Sequence, residues 1–184
     1  MVGMGGNLTD IQSRSYSGRR ATRVDRWFPF VPQCAMPIRF EHHESVRTSP
    51  GHAFDVIDNL PLTAKWLPPC VSLEKVGSGP NAVGDTLRYV YKQGGTVSEM
   101  TGRIVARTPA AQLHCVYTDS AFDVSVDLRV AAEPGGTLTT HIIEISPKTF
   151  MGRLMSPLIR MGLKKQTMDA ATTLRTLLES NSAG

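Results

Sequence analysis

The spacing of the alternating segments constrains this chain most. Seven runs between residues 38 and 146 alternate apolar with polar side chains at a period of two, the signature of half-buried strands. The clearest is "AFDVSVDLRVAA", where Phe122, Val124, Val126, Leu128 and Val130 oppose Asp123, Ser125, Asp127 and Arg129. Most links between runs are turn chemistry: Gly and Pro at 77–81, Gly94-Gly95, Pro109, and "EPGG" at 133–136. Such links make hairpins, whereas parallel pairing needs a long crossover, so the sheet is expected to be antiparallel.

Only the first link is longer. The opening run, "IRFEHHESVRT", sets Phe40, His42, Glu44 and Val46 against Glu41, His43, Ser45 and Arg47. "SPGHAFDVIDN" then supplies Ser49 as a helix N-cap and Pro50 as the first helical residue, with Phe54, Val56 and Ile57 to one side. Pro61 ends that helix, and "LTAKWL" predicts a second short one before Pro68-Pro69. The later runs are 71–76, 83–92, 96–108, 112–120, 121–132 and 137–146. In the last, His141, Ile143 and Ile145 compete with Leu138, Thr140, Ile142 and Glu144 for the inner face, and a slip of one residue exchanges them.

The chain then changes period. "FMGRLMSPLIRMGLKKQTMDAATTLRTLLES" (150–180) carries Met151, Met155, Met161 and Met168, half of the methionines. At helical spacing Phe150, Met151, Leu154, Met155, Leu158, Met161 and Met168 fall within an arc of roughly 140°. Ser156-Pro157 and Gly162 predict a bend or break, with the longer piece starting near Ser156 as N-cap. Beyond it the stripe moves to Met168, Ala171, Leu174 and Leu178. An antiparallel sheet with one apolar face needs cover, and only this segment is long and apolar enough to give it. A curved sheet around one helix encloses a space suited to a small molecule. Methionine fills cores but also lines adaptable pockets.

Composition excludes several classes. The net charge of +4 is concentrated at the start: residues 1–36 hold five arginines against Asp10 and Asp25, while the rest has 15 basic and 14 acidic residues. The folded part therefore has no electrostatic footprint for nucleic acid. No apolar run reaches transmembrane length. Cys34, Cys70 and Cys115 fit no metal or redox spacing, and reduced thiols point to a cytoplasmic protein. Neither a metal nor a cofactor is expected. "GSGPNAVG" (77–84) precedes a strand and reads as a turn, not a phosphate loop.

Residues 1–37 read as an N-terminal extension, rich in Gly, Ser and Arg, which is expected to be disordered. Initiation at Met36, docking through Trp27, Phe28 and Phe30, and a transit peptide are the other readings.

From residue 38 to about 181 the chain resembles the SRPBCC, or START-like, superfamily, which includes the polyketide cyclase/dehydrase and lipid-transport proteins. The resemblance is carried by "ESVRTSPGHAFDVIDN", Trp66 ahead of the second strand, "VGDTLRY", "GGT" at 135–137 and "AATTLRTLLES". It implies an α+β helix-grip fold: a seven-stranded curved antiparallel sheet wrapped around a long C-terminal helix, with two short helices after the first strand. It also implies a cavity between sheet and helix for lipids, polyketides or similar molecules. The fold hosts many functions, so no single reaction follows from it.

Alternation then nominates the cavity wall: Leu87, Tyr89 and Tyr91; Met100 and Ile104; Leu113, Cys115 and Tyr117; Phe122 and Val124 with the rest of their strand. The helix adds Met151, Leu154, Met155, Leu158 and Met161, and Trp66 is expected at the mouth. Tyrosines there either orient a ligand oxygen or bond to backbone. His43, His52 and His114 are expected to face solvent. In the superfamily topology the first strand neighbours the last, so His42, Glu44 and His141 are the candidate acid/base group. The bland reading makes them polar edge residues bonded to one another or to water. Binding or transport of a hydrophobic small molecule is the favoured function. A polyketide cyclase/dehydratase and a protein-interaction module are the alternatives.

Overall fold

The structure is a computed structural model that describes residues 37–181. It contains β1 (Ile38–Val46), α1 (Pro50–Asp58), a 3-10 turn (Leu60–Leu62), α2 (Thr63–Trp66), β2 (Cys70–Lys75), β3 (Thr86–Gln93) and β4 (Thr96–Thr108). These are followed by β5 (Gln112–Thr118), β6 (Phe122–Glu133), β7 (Gly136–Pro147), α3 (Phe150–Leu154) and α4 (Ser156–Asn181). The strands form one antiparallel sheet in the order β1-β7-β6-β5-β4-β3-β2. This is the helix-grip architecture expected from the sequence.

Local chemistry fixes the connections. Ser49 caps α1 by accepting the His52 amide at 3.2 Å, with Pro50 following in the first turn. Gly94 and Gly95 both adopt positive φ, which lets β3 and β4 join through a two-residue hairpin. β3 starts at Thr86, three residues later than alternation suggested. The Asp85 carboxylate accepts the Ala82 amide at 2.8 Å and pairs with Lys75 at 3.0 Å, so 83–85 close a turn instead of extending the strand. Bulges at Cys70/Ser72 and Ile104/Ala106 increase local twist. Gly102 sits directly beneath the Tyr117 ring. A Cβ there would lie 2.5 Å from Cδ1, so only glycine fits without moving the ring.

The concave face carries the main core, from Ala53, Phe54 and Ile57 of α1 across Leu87, Ile104, Leu113 and Leu128 to Ala170, Leu174 and Leu178 of α4. The outer face is polar, with pairs such as His114–Ser125 and Gln112–Asp127. Asp58 and Arg107 tie the end of α1 to β4 through two bonds of 2.8 and 2.7 Å, and the Arg107 guanidinium lies 5.4 Å from the Phe54 ring.

The C-terminal segment departs from expectation in three ways. The break comes at Met155, as the Ser156-Pro157 signal suggested, but Ser156 is the first residue of α4 and its hydroxyl donates to the Gly152 carbonyl at 3.5 Å. Gly162 does not interrupt α4, which is continuous from Ser156. Thirdly, the stripe before and just after the break is mostly exposed: Phe150, Leu154 and Met161 lie outward, and Met155 and Leu158, though largely exposed, line the cavity rim. Leu163, Thr167, Ala170, Ala171, Leu174 and Leu178 are buried, the last three as the sequence predicts. Small residues at 170 and 171 let the helix lie close to the sheet, whereas the bulkier stripe cannot share that contact. Periodicity identifies an apolar face but does not say which of two faces is covered.

Candidate functional site

A cavity of about 410 Å³ lies between the sheet and the helices. β3, β4 and β5 contribute Tyr89, Tyr91, Met100, Leu113, Cys115 and Tyr117. β6 and β7 contribute Phe122, Val124, Val126, Leu128, His141, Ile143 and Ile145. Ile57, Leu60, Thr63, Trp66 and Leu67 close one end, and Met155, Leu158, Ile159, Gly162, Leu163 and Gln166 form the α4 side. Lining residues that are themselves exposed, Met155, Leu158 and Gly162 with Gln93 opposite in the wall, mark where the cavity opens.

Three tyrosines make an aromatic wall, two stacked and one tilted. Tyr89 stacks on Tyr91 at 5.5 Å and 14°, and meets Tyr117 at 5.3 Å and 50°. The Tyr91 hydroxyl donates to Asp119 at 3.2 Å. Burial raises the pKa of all three phenols, so they remain protonated donors. Burial also pushes the Cys70 and Cys115 thiols up to about 11, which removes the thiolate a nucleophile would need.

Polar groups gather at the other end. His141 points inward from β7, resolving the two-face ambiguity of that strand, and meets the Trp66 ring edge-on at 6.2 Å. Burial, reinforced by nearby His42, lowers its pKa to about 4, so the ring is a neutral imidazole at neutral pH, with one nitrogen donating and the other accepting. Trp66 is buried, not at the mouth, and its indole Nε1 has no hydrogen-bond partner among the described residues.

The three candidate acid/base residues are only partly assembled. His42 pairs with His141 across β1 and β7 and lies 3.3 Å from Glu44. Glu44, however, accepts from Arg175 of α4 at 3.0 Å. Neither His42 nor Glu44 lines the cavity, so His141 alone reaches it.

Of the expected wall residues, Trp66, Tyr89, Tyr91, Met100, Cys115, Tyr117, Phe122, Val124, Met155 and Leu158 line the cavity. Leu87 and Ile104 are fully buried in the core outside it. Leu154 at the end of α3 and Met161 in α4 are exposed and do not line the cavity, which the neighbouring Ile159 and Leu163 face instead. The Met151 side chain lies outside the described residues. Among the expected solvent-facing histidines, His43 is exposed and His114 is half-buried beside Ser125. His52 has its Nε2 buried with no hydrogen-bond partner among the described residues. Leu60, Thr63, Leu73, Ile159, Leu163 and Gln166 are among the lining residues that alternation and the methionine stripe do not nominate. Ile159, Leu163 and Gln166 follow i, i+4, i+7 spacing, a second stripe beside the methionines that could have found them.

Several solved structures share this architecture. The ZhuI aromatase/cyclase from Streptomyces sp. R1128 is 12% identical with a TM-score of 0.68, covering 79% of this chain and 96% of its own. A START superfamily protein from Mycobacterium smegmatis is 12% identical with a TM-score of 0.65, covering 77% and 97%. Ara h 8.0201 is 19% identical with a TM-score of 0.60, covering 77% and 97%. At these identities the likeness is one of fold. No curated protein matches the sequence. The model of the family described as polyketide cyclase / dehydrase and lipid transport matches residues 37–179, nearly all of the described chain, and the protein belongs to that family.

Proposed function

We propose that this protein binds and carries a hydrophobic small molecule, lipid or polyketide-like, without transforming it. The observation that carries the reading is the cavity itself: about 410 Å³ walled mainly by aliphatic and aromatic side chains, within the size range of ligand pockets. The few polar groups in its wall are neutral: protonated tyrosines and an uncharged His141. Such groups orient an oxygen of the ligand while the apolar wall supplies affinity.

The second reading is a cyclase or dehydratase. Its supports are the family and the inward-facing imidazole of His141. Against it, the candidate carboxylate, Glu44, is engaged by His42 and Arg175 and does not line the cavity, so no carboxylate among the described lining residues orients His141 as a base.

Native mass spectrometry of the purified chain, before and after solvent extraction, tests the first reading. A co-purifying apolar compound that rebinds after removal, and is lost when Val126→Phe fills the wall, is the expected result. Failure to rebind, or equal binding by Val126→Phe, would overturn it. Conversion of the rebound compound that stops in His141→Phe would favour the enzyme.

A further inference from the structure

We propose that the exposed face of α3 and the first turns of α4 is a docking surface for an anionic lipid bilayer. Phe150 is 79% exposed, Leu154 66%, Leu158 60% and Met161 72%, a run of large apolar side chains along α3 and the start of α4. Isolated exposed apolar residues are common, but a contiguous patch marks an interaction surface. Met168 extends it by two turns.

Charge identifies the occupant. Between Glu144 and Asp169 the sequence holds Lys148, Arg153, Arg160, Lys164 and Lys165, with no Asp or Glu. Lys148 pairs with Asp123 and Lys165 with Asp169. Arg160 and Lys164 are exposed and have no ion-pair partner among the described residues. Two copies packed through this face would bring like charges together. An anionic headgroup layer instead complements the cations, while Phe150, Leu158 and Met161 enter the acyl boundary, as in interfacial amphipathic helices. The position has a consequence for traffic. Met155 and Leu158 belong both to the patch and to the cavity opening, so a docked protein would present its mouth to the bilayer.

Flotation of the full chain with vesicles tests this. Binding to mixed phosphatidylcholine–phosphatidylglycerol vesicles, absent with phosphatidylcholine alone and reversed by high salt, is expected. Arg160→Gln/Lys164→Gln should weaken partitioning on the order of 20-fold, from about fivefold per surface cation. Phe150→Ser/Met161→Ser should weaken it about tenfold, with circular dichroism unchanged. Three results would each overturn the proposal: no binding to the mixed vesicles; equal binding by both double variants; or loss only in Trp27→Ser/Phe28→Ser/Phe30→Ser. A concentration-dependent dimer that Phe150→Ser/Met161→Ser abolishes would assign the face to a second copy and also overturn it. Val126→Phe should still float, so docking is tested separately from loading of the cavity.

Discussion

Replacing His141 by Phe should change how stability depends on pH. In the folded protein its pKa lies at about 4, against 6.5 for an ordinary histidine, because burial disfavours the charged ring. Between those values the unfolded chain binds a proton that the folded one refuses. Stability from the neutral ring is therefore complete above about pH 6.5, is lost as pH falls, and levels off below about 4. At 1.36 kcal/mol per pH unit the full loss is about 3 kcal/mol. For a domain of this size that is a fall of roughly 10 °C in Tm. Phe keeps a ring beside Trp66 and cannot titrate. Urea denaturation of both proteins from pH 7.5 to 4 should give a wild-type minus variant difference that falls by about 3 kcal/mol across the window. Contributions from histidines that do not interact with position 141 cancel in that difference, and a His42→Gln background removes the one that does. Parallel curves, or a His141 imidazole NMR signal that titrates near 6.5, would refute the reasoning.

Other outcomes follow from the same geometry. Gly102→Ala should force the Tyr117 ring toward the cavity, costing about 1–3 kcal/mol and weakening ligand binding, read by thermal melts and rebinding. Asp58→Asn should cost about 1–3 kcal/mol by leaving Arg107 short of its carboxylate partner, measured by urea denaturation. In a Cys34→Ser background at pH 8, Cys70 and Cys115 should react with a disulfide reagent only on unfolding, since burial holds both thiols protonated and inaccessible.

Much of this architecture was legible before the structure because its strands are half-buried. Alternation in "AFDVSVDLRVAA" assigned an inner face that Phe122, Val124, Val126 and Leu128 occupy in the cavity wall. The same rule left β7 open, because both faces of "TLTTHIIEIS" are nearly equally apolar; pairing with β1 and β6 decides that His141 points inward. The C-terminal helix misled for a related reason. Met161 is as apolar as a core residue yet lies exposed, whereas Ala171, Leu174 and Leu178, the stripe expected beyond the break, are buried. His42 and Glu44 lie on the expected strand, opposite His141 and Thr139, but do not reach the cavity. What sequence could not show is that Arg175, 131 residues away along the chain from Glu44, would take its carboxylate.

The pairing of β1 with β7 also bears on when the cavity can form. Ile38 lies opposite Ile145, so the first strand of the sheet is completed only by the last. On a ribosome, residues 38–46 must wait, unpaired, until the chain past Pro147 has emerged, and α4 comes later still. Contacts of such long sequence separation make folding slow. The hairpins from β2 to β6 can zip as they appear, but they form an open trough. The cavity between sheet and helix is thus enclosed only after α4 has been synthesised.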